Sequence, residues 1–292
     1  MKKILILSLI SAALLVSTSI DAQTVPFVNL GYNSEQMAMG GTNATYNGAA
    51  AFSDVSRAEL SFFKWQPEAS NSSMFGLNAA VKAGGKLAIL LDGKYNAFPE
   101  ITGYDGSGNP SGIIKPIQMY AALGASYAVT DNLGLALKAK YISDKLTDVA
   151  KAGAVCADLS IDYHTEGLDI ALTASNIGSK LNYGSSSYSL PMLVKAGAVK
   201  EFNAGEKIAI KLAADAGYVI SAKSFTAGIG AELGIAKIFD IRAGYHIGTN
   251  QEPSFASVGI GVNISVVRLS AVYLIGPAAA GNTLGATLGF AF

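Results

Sequence analysis

Residues 283–292 read Thr283-Leu284-Gly285-Ala286-Thr287-Leu288-Gly289-Phe290-Ala291-Phe292. In an extended chain Leu284, Ala286, Leu288, Phe290 and Phe292 share one face, and Thr283, Gly285, Thr287, Gly289 and Ala291 share the other. A period of two with one oily face and one small or polar face is the pattern of a strand set between lipid and a lumen. The stretch also runs to the last residue and carries an aromatic there, as the closing strand of many outer-membrane barrels does.

The same pattern extends toward the N-terminus. Leu133, Leu135, Leu137, Ala139 and Tyr141 alternate with Asn132, Gly134, Ala136, Lys138 and Lys140. Ile208, Ile210, Leu212, Ala214, Ala216 and Tyr218 alternate with Lys207, Ala209, Lys211, Ala213, Asp215 and Gly217. Phe239, Ile241, Ala243, Tyr245 and Ile247 alternate with Asp240, Arg242, Gly244 and His246. Slipping a strand by one residue would push Lys138, Lys211 or Arg242 into hydrocarbon, at about 2–4 kcal/mol each near the midplane, so register is tightly specified.

Fourteen such segments are predicted, at 58–65, 72–82, 85–96, 115–129, 132–143, 151–163, 166–178, 191–202, 206–219, 224–234, 237–248, 255–265, 266–275 and 283–292. Short links alternate with longer ones at 97–114, 143–151, 179–190, 249–254 and 276–282, the usual asymmetry between periplasmic turns and external loops. The longest carries turn chemistry from Tyr104 to Gly112. The expected fold class is therefore all-β: a transmembrane antiparallel β-barrel of about 14 strands over residues 58–292. Tyr95, Tyr141, Tyr218 and Tyr273 are expected on an outer aromatic girdle, and Tyr127, Tyr163, Phe202 and Phe292 on an inner one.

Composition agrees. Half of the residues are hydrophobic, yet beyond the first residues no apolar run reaches the roughly 18 that a membrane helix needs. The 32 glycines disfavour a helical protein. Met1-Lys2-Lys3, an apolar run from Ile4 to about Leu15 and a small residue at Ala22 predict a signal peptide over 1–22, cleaved after Ala22. Of 21 basic and 21 acidic residues the leader holds Lys2, Lys3 and Asp21, so 19 and 20 remain. No basic stripe for nucleic acid results.

Residues 23–57 lack a clean period. They are expected to begin in the periplasm, as either a plug inside the lumen or a flexible lead. Gly228, Gly230, Gly259, Gly261, Gly285 and Gly289 strip the inner wall of side chains, which either lets such a plug approach or relieves strand coiling.

The predicted lumen face carries ten bases (Lys82, Lys86, Lys94, Lys138, Lys140, Lys195, Lys207, Lys211, Arg242, Arg268) and eight acids (Asp92, Asp158, Asp162, Asp169, Asp215, Glu201, Glu232, Asp240). A charge-selective pore favours a ring of one sign. Near-balance favours an internally paired network. His164 and His246 lie on different strands, Cys156 is the one cysteine, and no serine sits in a nucleophile elbow. No catalytic, cofactor-binding or metal-ligating set emerges, and no enzyme activity is expected.

Several stretches resemble the PorV/PorQ family: Thr24-Val25-Pro26-Phe27-Val28-Asn29-Leu30 followed by Ser34 to Gly41; Ala171 to Tyr183, with Asn176-Ile177-Gly178, then Leu190-Pro191; and Tyr120 to Leu146. The resemblance implies a FadL-like 14-stranded barrel in the outer membrane of a Bacteroidota-type organism. It further implies a non-enzymatic partner or shuttle subunit of type IX secretion, docking on a larger outer-membrane complex such as a SprA-like translocon. The family's Asn-Pro-Ala element is absent at Phe52–Arg57, and its Ser-Arg position reads Ser34-Glu35. The alternatives are a FadL-like transporter of hydrophobic small molecules, disfavoured by inward positions that are mostly small or charged, and a diffusion porin.

Overall fold

The computed structural model describes residues 24–292 other than Ser185 and Gln251; the expected leader 1–22 and its cleavage point lie outside the described residues. Eighteen strands follow one another: β1 Arg57–Trp65, β2 Ser72–Lys82, β3 Leu87–Ala97, β4 Ile101–Tyr104, β5 Pro110–Ile114, β6 Ile117–Ala128, β7 Leu133–Lys145, β8 Lys151–Thr165, β9 Leu168–Gly178, β10 Leu181–Asn182, β11 Ser187–Tyr188, β12 Leu193–Asn203, β13 Ile208–Val219, β14 Ser224–Ile235, β15 Phe239–Gly248, β16 Phe255–Ile264, β17 Val267–Ile275 and β18 Thr283–Ala291. Fourteen of them close a barrel in which every neighbour is antiparallel; β4–β5 and β10–β11 form two small separate ladders.

Closure satisfies the backbone. β1 pairs with β18 from Arg57↔Ala291 to Lys64↔Leu284, and Ser56 and Phe292 exchange amide bonds of 2.8 and 2.9 Å beyond the last rung. With no open edge, no backbone group faces hydrocarbon unpaired. Side chains sort as the period requires. In β7 the residues from Leu133 alternate between exposed and buried as far as Ile142, and Leu284, Ala286 and Phe290 of β18 face out while Thr283, Gly285, Thr287 and Gly289 face in. The girdle aromatics all face outward, with Tyr218 half-buried.

Two links differ from expectation. The link 97–114, with turn chemistry expected from Tyr104 to Gly112, carries the β4–β5 hairpin. Its flanks Ile101-Thr102 and Ile113-Ile114 are β-branched and pair with each other, leaving the turn to residues 105–109, where the Asp105 carboxylate accepts the amides of Ser107 and Asn109 at 2.9 Å. In 179–190, Leu181–Asn182 pairs with Ser187–Tyr188.

The barrel's one register irregularity lies between β8 and β9, at Ala157/Leu159. There Asn176 takes a left-handed conformation (φ 61°), and its buried side chain follows Ser175 inward instead of outward. A bulge of this kind re-aims a side chain while keeping the strand in the sheet.

Residues 24–56 run through the interior. A 3-10 turn at Pro26–Asn29 precedes a short helix, α1 (Ser34–Ala38), and another 3-10 turn covers Gly48–Ala51. Asn33 caps α1, its side chain accepting the Gln36 amide at 2.9 Å. The described part of the segment starts beside a long link. The Thr24 hydroxyl donates to the Ser189 carbonyl in a long link, and Val25 and Phe27 pack with Leu181 and Leu190. Ser56 then meets Phe292 at the opposite rim. The segment therefore crosses the whole bore before β1 begins.

Candidate functional site

Where the segment crosses, glycine on the wall decides what fits. A Cβ on Gly244 would stand 2.2 Å from the Gly40 amide nitrogen, one on Gly230 2.5 Å from the Met39 carbonyl oxygen, and one on Gly259 2.5 Å from the Ala38 Cβ. These positions are bare because the crossing segment lies on them, through its backbone at Gly230 and Gly244 and through the Ala38 methyl at Gly259. Gly285 has another reason: a Cβ there would stand 2.3 Å from the Phe63 ring of the wall itself, whereas one on Gly289 would meet nothing closer than 3.4 Å. Ser257 donates to the Ala38 carbonyl at 2.8 Å, while the Ser34 amide donates to the Thr287 hydroxyl at 2.9 Å.

Mid-lumen, three buried lysines meet carboxylates. Lys138 Nζ lies 2.7 Å from Asp92 and donates to the Tyr32 hydroxyl at 2.9 Å. Lys140 sits 2.8 Å from both Asp158 and Asn176 Oδ1. Lys195 bridges Asp215 at 3.4 Å and Asn43 at 2.8 Å. Lys94 instead caps the segment, donating to the Leu30 carbonyl at 2.5 Å and to Phe27 at 3.3 Å. A charge removed from water is tolerated best when paired and hydrogen-bonded; Lys138, Lys140 and Lys195 have both, whereas Lys94 meets two carbonyls in place of a carboxylate.

A second cluster joins Arg242 to Glu232 (2.5 Å) and Asp240 (2.9 Å), and Lys211 to Glu232 (3.2 Å) and Glu35 (3.1 Å). Among the charged residues expected on the lumen face, Lys86, Lys207, Glu201 and Arg268 stay exposed near the short-link rim, and Asp169 pairs with His164 (2.6 Å). Glu35 and Glu59 were not anticipated: Glu35 comes from the aperiodic segment, and Glu59 faces in to accept Asn33 (2.7 Å) and Tyr46 (2.5 Å).

The two histidines serve structure. His246 lies between the Gly40 carbonyl (2.9 Å) and Thr226 (2.8 Å), stacked on Phe255. His164 stacks on Phe52. Cys156 is free and buried. Among the described residues no group of His, Cys, Asp and Glu is placed to hold a metal ion.

The motifs quoted for the PorV/PorQ resemblance meet in space. Asn176 Nδ2 donates to Asn29 Oδ1 (2.8 Å) and to the Pro191 carbonyl (3.0 Å), and its own amide donates to Asp158 (2.9 Å). The bulge thus ties the N-terminal segment, the end of β9 and the link before β12 into one knot.

Cavities remain inside among the described residues, and two of them bear on function. One, of about 40 Å³, is lined by Lys138, Lys140, Lys195, Asn43 and Asp158; that volume and polarity suit a few water molecules. Another, about 180 Å³, sits at the long-link mouth among Phe27, Leu30, Trp65, Met74, Phe98 and Asn96. The expectation of an inner surface too small or charged for an apolar pocket fails here. Phe27 and Leu30 come from the crossing segment, Phe98 lies beyond the end of β3, and Trp65 ends β1, so strand parity in mid-wall did not register them.

No family model matches this chain, and no curated protein matches it. Its fold is that of known outer-membrane channels. The Ralstonia pickettii toluene transporter TbuX superposes over 91% of this chain and 99% of its own, with a TM-score of 0.61 and 14% identity. The Pseudomonas putida toluene transporter TodX covers 94% of this chain and 99% of its own at TM-score 0.60 and 12% identity. A Pseudomonas aeruginosa FadL homologue covers 89% and 97% at TM-score 0.51 and 9% identity. The protein is thus a closed 14-stranded barrel with the FadL-like architecture. This likeness does not extend to the secretion role that the PorV/PorQ resemblance implies.

Proposed function

We propose that this protein admits small hydrophobic molecules across the outer membrane, the transporter alternative rather than the secretion shuttle. The mouth cavity carries the reading. Below it the bore is filled by residues 29–56 and paired charges, an arrangement unsuited to a diffusion porin or an ion-selective pore. A pocket of about 180 Å³ is of the scale that holds one aromatic ring, since a dry cavity of about 150 Å³ takes up benzene. Residues 24–56 act as the plug in this scheme and must shift for a guest to pass. The toluene transporters with the same fold support the assignment.

Trp65 is the one tryptophan and lines the pocket, so its emission reports occupancy. Titrating the purified barrel with toluene should give a saturable change in Trp65 fluorescence. A response that merely tracks bulk toluene up to its solubility limit sinks the proposal.

One observation favours a second role for the loops. Ile101, Tyr104 and Ile113 of the β4–β5 hairpin are exposed apolar residues beyond the barrel wall, a surface suited to contact with a larger outer-membrane partner. Deleting residues 101–114 should then abolish co-purification of that partner from detergent extracts. Recovery of the intact barrel alone, repeatedly, removes this role.

A further inference from the structure

Positive charge gathers where β7 and β8 reach the long-link rim. Lys145 ends β7, Lys151 opens β8, and the two stand directly opposite one another. Every second residue of a strand shares a face. Lys145 therefore lies on the lipid-facing side with Leu137 and Tyr141, and Lys151 lies there with Gly153 and Val155. Ile117 of β6 stands on the other side of Lys145. Lys115, two residues before it, adds a third exposed ammonium, paired with Glu100.

Like charges placed opposite each other on a sheet are destabilising. Asp148 meets Lys145 at 2.6 Å, but its side chain is 87% exposed, and such a pair is weak in water. Lys151 makes no ion pair among the described residues. One rung nearer the membrane, Ser143 stands opposite Gly153. A Cβ on Gly153 would be 2.5 Å from the Tyr141 hydroxyl oxygen. The missing side chain lets the Tyr141 ring lean toward the rim and brings its hydroxyl to the rung below the two lysines. Neither that hydroxyl nor the one on Ser143 has a hydrogen-bond partner among the described residues. Met119 and Val155 are exposed on the same face, so a row of donors sits directly on an oily wall.

An amphiphile whose anion adjoins its apolar chains matches that edge. We propose that the β7–β8 rim binds a phosphorylated lipid from the membrane leaflet on the long-link side. The phosphate lies between Lys145 and Lys151 and accepts from Ser143 and Tyr141, while the acyl chains run down along Met119 and Val155. Four side chains offer donors, and a phosphate has oxygens enough to meet them together through charge-assisted bonds. The site is separate from the mouth cavity and does not depend on what that cavity admits.

A lysine beside anionic lipid contributes about fivefold in affinity. The test titrates the full barrel in detergent with lipid A, a phosphorylated glycolipid, and follows the bound fraction by native mass spectrometry. One tightly held molecule is expected. Lys145→Gln together with Lys151→Gln should weaken it about 25-fold, and Lys207→Gln, exposed at the opposite rim, should leave it unchanged. Dephosphorylated lipid A should bind the wild-type barrel about tenfold more weakly or worse. Equal binding of the two lipids overturns the proposal without recourse to any variant, which covers a double variant that does not fold. Equal losses in Lys207→Gln and the double variant reduce the effect to diffuse charge attraction and overturn it too. Inorganic phosphate that displaces lipid A at equal concentration assigns the rim to the free ion, and the lipid reading falls.

Discussion

The outer face of this barrel and its interior obey different rules, although the same strands make both. Outside, one solvent touches every strand, and the only demand is that each second residue be apolar. Leu133, Leu135, Leu137 and Tyr141 meet it on β7, as Phe239, Ile241 and Tyr245 do on β15. Inside, each position answers to a particular neighbour. Lys138 is there for Asp92 and Tyr32, Gly244 for the backbone of Gly40, Thr287 for Ser34. A periodic environment yields a readable pattern; an individual one does not.

Removing one buried charge should have the largest effect. Lys138→Met leaves Asp92, whose side chain is 1% exposed, without its cation, and should destabilise the barrel by about 3–5 kcal/mol in urea unfolding from lipid vesicles, because the remaining charge is buried alone. One residue away, Leu137→Lys puts a charge into hydrocarbon near mid-strand and should cost about 2–4 kcal/mol in the same measurement. If the order of these two neighbours reverses, the interior is more hydrated than its pairing indicates.

Bulk on the inner wall separates the faces more finely. Gly244→Val should displace residues 38–42, raise single-channel conductance and cost about 1–3 kcal/mol from overpacking, whereas Ala243→Val, facing lipid, should leave conductance unchanged. No rise in conductance for Gly244→Val counts against residues 24–56 as the plug.

The smallest expected effect is electrostatic. Glu35 pairs with Lys211 at 3.1 Å, with a side chain about one-third exposed, so solvent screening keeps the pair weak. Glu35→Gln should raise the protease accessibility of residues 24–56 in vesicles only slightly, and by less than Gly244→Val does.

The wall was legible in the sequence almost to its ends. The segment expected at 132–143 is Leu133–Lys145, and that expected at 191–202 is Leu193–Asn203, because lipid imposes the same period on every crossing. The bulge was not legible. Asn176 breaks parity through one left-handed residue, a local choice that a count of alternation over 166–178 averages away. The mouth cavity was missed for a related reason: Phe27 and Leu30 belong to a stretch with no period, and only the tertiary path of that stretch sets them opposite Trp65 and Met74. The charged residues of the lumen were identifiable as inward, but their partners Tyr32, Asn43 and Glu35 lie on the crossing segment, more than 100 residues away in sequence.

Ser34 reaches Thr287 across 253 positions of sequence, and Thr287 stands on β18, the strand whose pairing with β1 shuts the ring. Such distant contacts form late and slowly in any folding chain. Here the one that seats the crossing segment and the one that completes the wall fall on the same strand. Closing the ring and seating residues 33–40 thus draw on one strand, so whatever loosens β18 loosens the wall and its filling together.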